Sequence, residues 1–135
     1  MYDKRRKELL IKDLIARLQY GVVLKTDNVF PQKLEVITFD NGTFRFWISD
    51  GGFTLDNMDC IPYLRPMSSM TKEEKIDYER LCSYCLEQDT VNYNITTLDK
   101  TQLVYVIDWL NKNHFDYRGL IEKGLAIDAT GLNIY

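Results

Sequence analysis

At 135 residues the chain is long enough to bury a real core, and its 45% hydrophobic and 27% charged residues are those of an ordinary globular protein. Nine Tyr, six Phe and two Trp exclude a disordered chain, and no apolar run approaches the roughly 20 residues that span a bilayer. A net charge of −3 excludes a broad positive field for nucleic acid, so any such contact has to come from a local patch.

The opening MYDKRRKELL runs straight into an amphipathic pattern without an apolar h-region, so no signal peptide is expected. The expected location is cytoplasmic, where the three cysteines stay reduced. A first helix is predicted from Lys4 to Gln19. Leu10, Ile11, Leu14, Ile15 and Leu18 form its apolar stripe, Lys12, Asp13, Ala16, Arg17 and Gln19 lie off it, and Gly21 follows as a C-terminal cap. Val22 to Thr26 reads as a short strand, and residues 27–32, with Pro31, as a loop.

The stretch from Lys33 to Ser49, KLEVITFDNGTFRFWIS, carries the strongest signal. Two β-rich runs meet at Asn41-Gly42, and a two-residue type I′ turn there needs positive φ at both positions. That turn sets Phe39 opposite Phe44 and Ile37 opposite Phe46, making one face apolar, and leaves Val36, Thr38, Arg45 and Trp47 on the other. Asp50-Gly51-Gly52 is a second turn before an extended Phe53-Thr54-Leu55. Residues 56–69 read as irregular, with Pro62 and Pro66.

A second helix opens on a capping box, Thr71 with Glu74, and gathers Tyr78, Leu81, Cys82 and Cys85 on one face, with Ile76 and Tyr84 outside it. A linker over 88–97 has room for a short strand at Val91 to Ile95. A third helix runs from Asp99 to Asn113, with Asp99 and Gln102 as a second capping box and Leu103, Val106, Ile107 and Leu110 as its apolar face. The tail reads as one helical turn near Leu120 to Lys123 followed by extended chain. The fold class expected is α+β in a single domain, 1–135: an antiparallel meander of three to five strands centred on the hairpin 33–49, packed against the N-terminal helix and two later helices.

Three segments, LLIKDLIARLQYGV, IPYLRPMSSMTKEEK and WLNKNHFDYRGLIEKGLAI, resemble a family of small uncharacterised proteins of Bacteroidetes-type gut bacteria, often encoded in prophage-like or other mobile regions. The similarity spans roughly residues 9–25 and 58–130. Its most specific part is the tail motif from Asn113 and His114 through Asp116, Tyr117 and Arg118 to Ile121. Gln19 departs from the pattern, which has proline before the Tyr-Gly pair. The family has no assigned activity, so the resemblance implies a mobile-element source and carries over no catalytic residues.

Walker loops, GxGxxG, HExxH and G-x-S-x-G are all missing from the sequence. Cys60, Cys82, Cys85 and His114 are a weak candidate zinc set, opposed by the mid-helix position of the Cys82/Cys85 pair, where thiols act as small hydrophobes. His114 is the one histidine and the only candidate for imidazole chemistry; just past the third helix, its cationic form would complement the helix dipole. Asp116, Tyr117 and Arg118 make either a small polar site or a self-paired loop. Lys4, Arg5, Arg6 and Lys7 concentrate charge, and without them the rest of the chain stands at −7. They are a solvated first turn or an arm for phosphates or an acidic protein. Arg45 and Trp47 are either covered by a later helix or free to stack on a partner. The reading that results is a non-enzymatic, cofactor-free accessory protein that binds a macromolecule, in the first place a protein. A weak nucleic-acid binder using the basic tip with Arg45 and Trp47, or a small zinc domain, are the alternatives.

Overall fold

In the computed structural model the first helix, α1 (Lys4–Arg17), starts on Asp3, whose carboxylate accepts the Arg6 N–H at 2.9 Å. It runs into a 3₁₀ turn, Leu18–Tyr20, closed by Gly21 at φ +73°. The structure describes residues 3–27, 29–56, 60–83 and 100–135; the strand expected at Val91 to Ile95, the Asp99 cap, Tyr84 and Cys85 lie outside them.

Seven strands are described: β1 (Val23–Lys25), β2 (Gln32–Lys33), β3 (Val36–Asp40), β4 (Thr43–Ile48), β5 (Gly51–Phe53), β6 (Ile61–Leu64) and β7 (Ile127–Asp128). They accompany α1 and two later helices, α2 (Lys72–Ser83) and α3 (Lys100–Lys112), in an α+β arrangement. β3, β4 and β5 form the antiparallel meander. Its register is the expected one, Phe39 opposite Phe44 and Ile37 opposite Phe46, and the turn has φ +49° at Asn41 and +77° at Gly42.

The strand over 22–26 does not join that meander. β1 pairs with β2 and β6 in a second sheet of order β2-β1-β6-β7. Its partner β6 falls in the stretch expected to be irregular. Pro62 is tolerated there because it faces Leu24 on β1, while β7 pairs in parallel only from Tyr63 onward, so the proline occupies the part of β6 with one neighbour.

Leu10 and Leu14 of α1 share a core with Phe46 and Phe53 of the meander and with Leu64, Leu120 and Leu125. Burial along the hairpin's inner face rises away from its turn: Ile48 and Phe46 are buried, Phe44 and Ile37 half-buried, and Phe39 is 62% exposed. The tip overhangs the core, and Phe39 and Phe44 cover one another at 4.7 Å. α1 is also rotated from the expected stripe. Ile15 is exposed, whereas Asp13 and Arg17, expected off the stripe, are 0% exposed and continue the Leu10–Leu14 face at helical spacing.

A second core holds Cys82, Val106, Leu110 and Phe115, with Trp109 stacked on Phe115 at 5.6 Å. The capping box of α2 forms: the Thr71 N–H donates to Glu74 Oε1 at 3.0 Å and the Glu74 N–H to Thr71 Oγ1 at 3.1 Å. Among the described residues no helix is long and apolar enough to cross a membrane.

Candidate functional site

The tail motif begins as the end of α3. The Phe115 N–H donates to Leu110 O at 2.9 Å and the His114 N–H to Asn111 O at 3.1 Å, with His114 left-handed at φ +63°. This is a Schellman cap with histidine in the place glycine usually takes, and its apolar contact is Phe115 on Leu110. The His114 ring stacks on Tyr135 with centroids 3.5 Å apart. Burial, and then Arg17 and Arg65, push its pKa down to about 4, so the imidazole is neutral at pH 7 and not the dipole-complementing cation expected. Tyr135 is itself anchored, donating its hydroxyl to Tyr63 O at 2.7 Å. Burial pushes that hydroxyl up to about 12.

Asp116 ties down the tail turn that follows it. Its two oxygens accept the Leu120 N–H at 2.8 Å and the Ile121 N–H at 2.9 Å, fixing the turn that Gly124 closes at φ +72°. Tyr117 donates its hydroxyl to Asn111 Oδ1 at 2.9 Å. The guanidinium carbons of Arg17 and Arg118 both lie 5.2 Å from the Tyr117 ring centre. Arg17 donates from Nε to Asp13 Oδ2 at 2.9 Å and from Nη2 to Phe115 O at 2.7 Å. Burial raises the Asp13 carboxyl, which Arg17 and then Arg118 oppose. The other Asp13 oxygen lies 3.3 Å from Arg118 Nε, so one buried carboxylate holds two arginines. Arg65 grips Glu74 through both terminal guanidinium nitrogens at 2.6 and 2.7 Å, which lowers the Glu74 pKa, and lies 4.2 Å from the Phe115 ring centre.

Two surfaces emerge from this frame. The first is a groove of about 600 Å³ where α1 meets the tail turn, lined by Arg5, Arg6, Lys12, Arg118 and Lys123. It brings part of the basic tip together with Arg118. Lys7 pairs instead with Asp56, and Lys4 is exposed outside the groove.

The second is the outer face of the meander. Trp47 is 38% exposed and lies over Gly52, where a β-carbon would come within 2.8 Å of the indole. Its Nε1–H donates to Thr38 Oγ1 at 3.1 Å, and the Arg45 guanidinium carbon is 6.0 Å from the ring centre. No described helix covers this face. Phe46 and Ile48 on the opposite side are buried, so strand alternation alone turns Arg45 and Trp47 outward.

Cys60 and Cys82 are buried in different cores. Among the described residues no three His, Cys, Asp or Glu side chains gather as a metal site, and Cys85 is not among those residues. Comparison with protein-family models, curated proteins and solved structures finds no match. Sequence reasoning missed Lys12 and Lys123 in the groove, and Gly52 under Trp47. Lys12 follows Arg5 by seven residues, two helical turns on the same face, a spacing that marks it as a partner. The buried Asp13–Arg17 pair announces itself by its i, i+4 spacing.

Proposed function

We propose that the protein acts by binding and not by catalysis, and that the outer face of β3 and β4 docks a protein partner, with Trp47 as the anchor. One observation carries this reading: Trp47 is held still yet left open. The bare backbone of Gly52 supplies a flat floor, Thr38 fixes the indole nitrogen, and Arg45 flanks the ring. A fixed aromatic loses little rotamer entropy on binding, and Trp with Arg is the composition of interface hot spots. Charge favours a protein over a nucleic-acid strand here. The shallow depression beside Trp47 offers one cation, Arg45, against one carboxylate, Asp40, whereas a phosphate backbone calls for several cations. The resemblance to small mobile-element proteins supports an accessory role. His114, neutral and stacked on Tyr135, is a poor general base at pH 7.

The test is affinity capture from a bacterial lysate with the wild-type chain, Trp47→Ala and Arg45→Glu side by side, reading bound protein and nucleic acid together. A protein species held by the wild type and lost from both variants, with unchanged circular dichroism, is the expected result. Retention of the captured protein by both variants, nucleic acid in place of protein as the species that both variants lose, or turnover in a hydrolase and transferase screen that His114→Ala abolishes, overturns the reading.

A further inference from the structure

From the groove between α1 and the tail turn we infer a second, independent binding site, for a ligand carrying two or more phosphate groups. Arg5, Arg6, Lys12, Arg118 and Lys123 face Asp3 and Glu8, five cations against two carboxylates, on a chain whose net charge is −3. Counting Asp13 behind Arg118 still leaves an excess of two. Leu9 and Leu125 supply apolar lining. About 600 Å³ is the size of a small-molecule site.

The cations divide into fixed and uncommitted groups. Arg118 is anchored: its Nε faces the buried Asp13 carboxylate at 3.3 Å and its guanidinium lies against Tyr117, while its side chain keeps 29% exposure. That Nε contact is an ion pair without hydrogen-bond geometry, and no hydrogen bond from the two terminal nitrogens occurs among the described residues, so charge and stacking hold the head while its outer end is open to an oxyanion. Lys123 donates to Arg118 O at 3.3 Å, which keeps its ammonium beside the fork. Arg5 and Lys12 are exposed, with no ion pair among the described residues. They sit two turns apart on one face of α1, about 10 Å along the axis.

A single carboxylate meets one such cation. A row of cations about 10 Å long, ending in a preset guanidinium fork, matches a string of phosphates instead. The dipole of α1 adds to this preference. The Asp3 carboxylate caps this end and lies 3.9 Å from Arg6 Nε, but the first turn itself holds no acidic residue, so Arg5 remains an uncommitted cation at the positive end of the helix, where nearby anionic charge is favourable. The shared chemistry is a run of phosphates, free as an inorganic or nucleoside polyphosphate or carried on a single nucleic-acid strand.

The experiment is isothermal titration of the full chain with inorganic triphosphate, with a single-stranded oligothymidylate and with polyglutamate, each at low and at high salt. Saturable triphosphate binding is expected, weakening at least about tenfold from low to high salt. Arg5→Glu with Lys12→Glu should weaken it at least about tenfold, because both side chains are exposed and their reversal leaves the fold intact. Lys75→Glu, outside the groove, should leave it unchanged. Arg118→Lys keeps the charge but loses the fork, and should weaken binding if it unfolds at the wild-type urea midpoint; the Arg5/Lys12 variant decides the matter if it does not. Triphosphate bound without the oligonucleotide assigns the free ligand, and both bound assigns the strand. No triphosphate binding at low salt, equal binding of polyglutamate, or equal loss in Lys75→Glu overturns the inference. None of these outcomes touches the Trp47 face, so the two sites stand or fall separately.

Discussion

Asp13→Ala is the substitution that tests the buried polar frame behind the groove. Asp13 and Arg17 are both 0% exposed. Without the carboxylate, Arg17 keeps one acceptor, Phe115 O at 2.7 Å, and Arg118 loses the counter-charge 3.3 Å from its Nε. Removing one member of a buried ion pair costs about 3–5 kcal/mol, at least about a fifth of the ~5–15 kcal/mol that holds a domain folded. Replacing both members by apolar residues, Asp13→Leu with Arg17→Met, removes the stranded charge. What remains is a Phe115 carbonyl without its donor, about 1–3 kcal/mol, and Arg118 can turn its head to water. The double variant should therefore be more stable than the single one. Urea unfolding followed by circular dichroism reads both midpoints and slopes. A single variant within about 1 kcal/mol of wild type, or a double variant no better than the single, refutes the account of Asp13 as the carboxylate that holds two arginines.

His114 is the protein's one histidine, so its ring proton gives a clean NMR titration, with a midpoint expected at about 4. Because the folded value lies below the unfolded 6.5, the contribution is full above pH 6.5 and is lost as pH falls toward 4; a midpoint near 6.5 removes the stacked, neutral imidazole. Gly52→Ala places a methyl group where the Trp47 ring now lies, 2.8 Å from two ring carbons. In a Trp109→Phe background, acrylamide quenching of Trp47 should rise and stability should fall by about 1–3 kcal/mol. Quenching unchanged from Gly52 would show that the ring does not rest on that backbone.

The hairpin was legible because its information is local. Asn41-Gly42 dictates the turn, the turn dictates the register, and period-2 alternation decides which face holds Trp47. The capping box of α2 is equally local. Sheet membership was not. β1 leaves the meander for β6, and β6 was hidden by Pro62, which reads as a breaker until its one-sided pairing is known. Asp13 and Arg17 were misplaced because a charged residue is assigned to water by default, whereas these two neutralise each other at i, i+4 beneath the tail. The groove was legible only in halves: Arg5, Arg6 and Arg118 were singled out, but their meeting depends on a contact more than 100 residues apart along the chain.

That dependence sets the two surfaces apart energetically. The Trp47 platform is built from residues 36–53, paired by adjacent strands through short turns. The groove exists only while the tail lies on α1, through Asp13 to Arg118 and through Leu120 and Leu125 in the core shared with Leu10 and Leu14. The tail is held there by fully buried core side chains, so the groove persists only as long as the core does, and its occupancy feeds back on stability. A polyphosphate spanning Arg5 and Arg118 would hold α1 and the tail together across that contact. It would also relieve the repulsion among cations at the positive end of α1. At a ligand concentration a hundred times its Kd the folded state gains about 2.7 kcal/mol. An anion in the groove is then a ligand and a brace for the fold at once, while a partner on the Trp47 face binds a hairpin whose pairing is already complete.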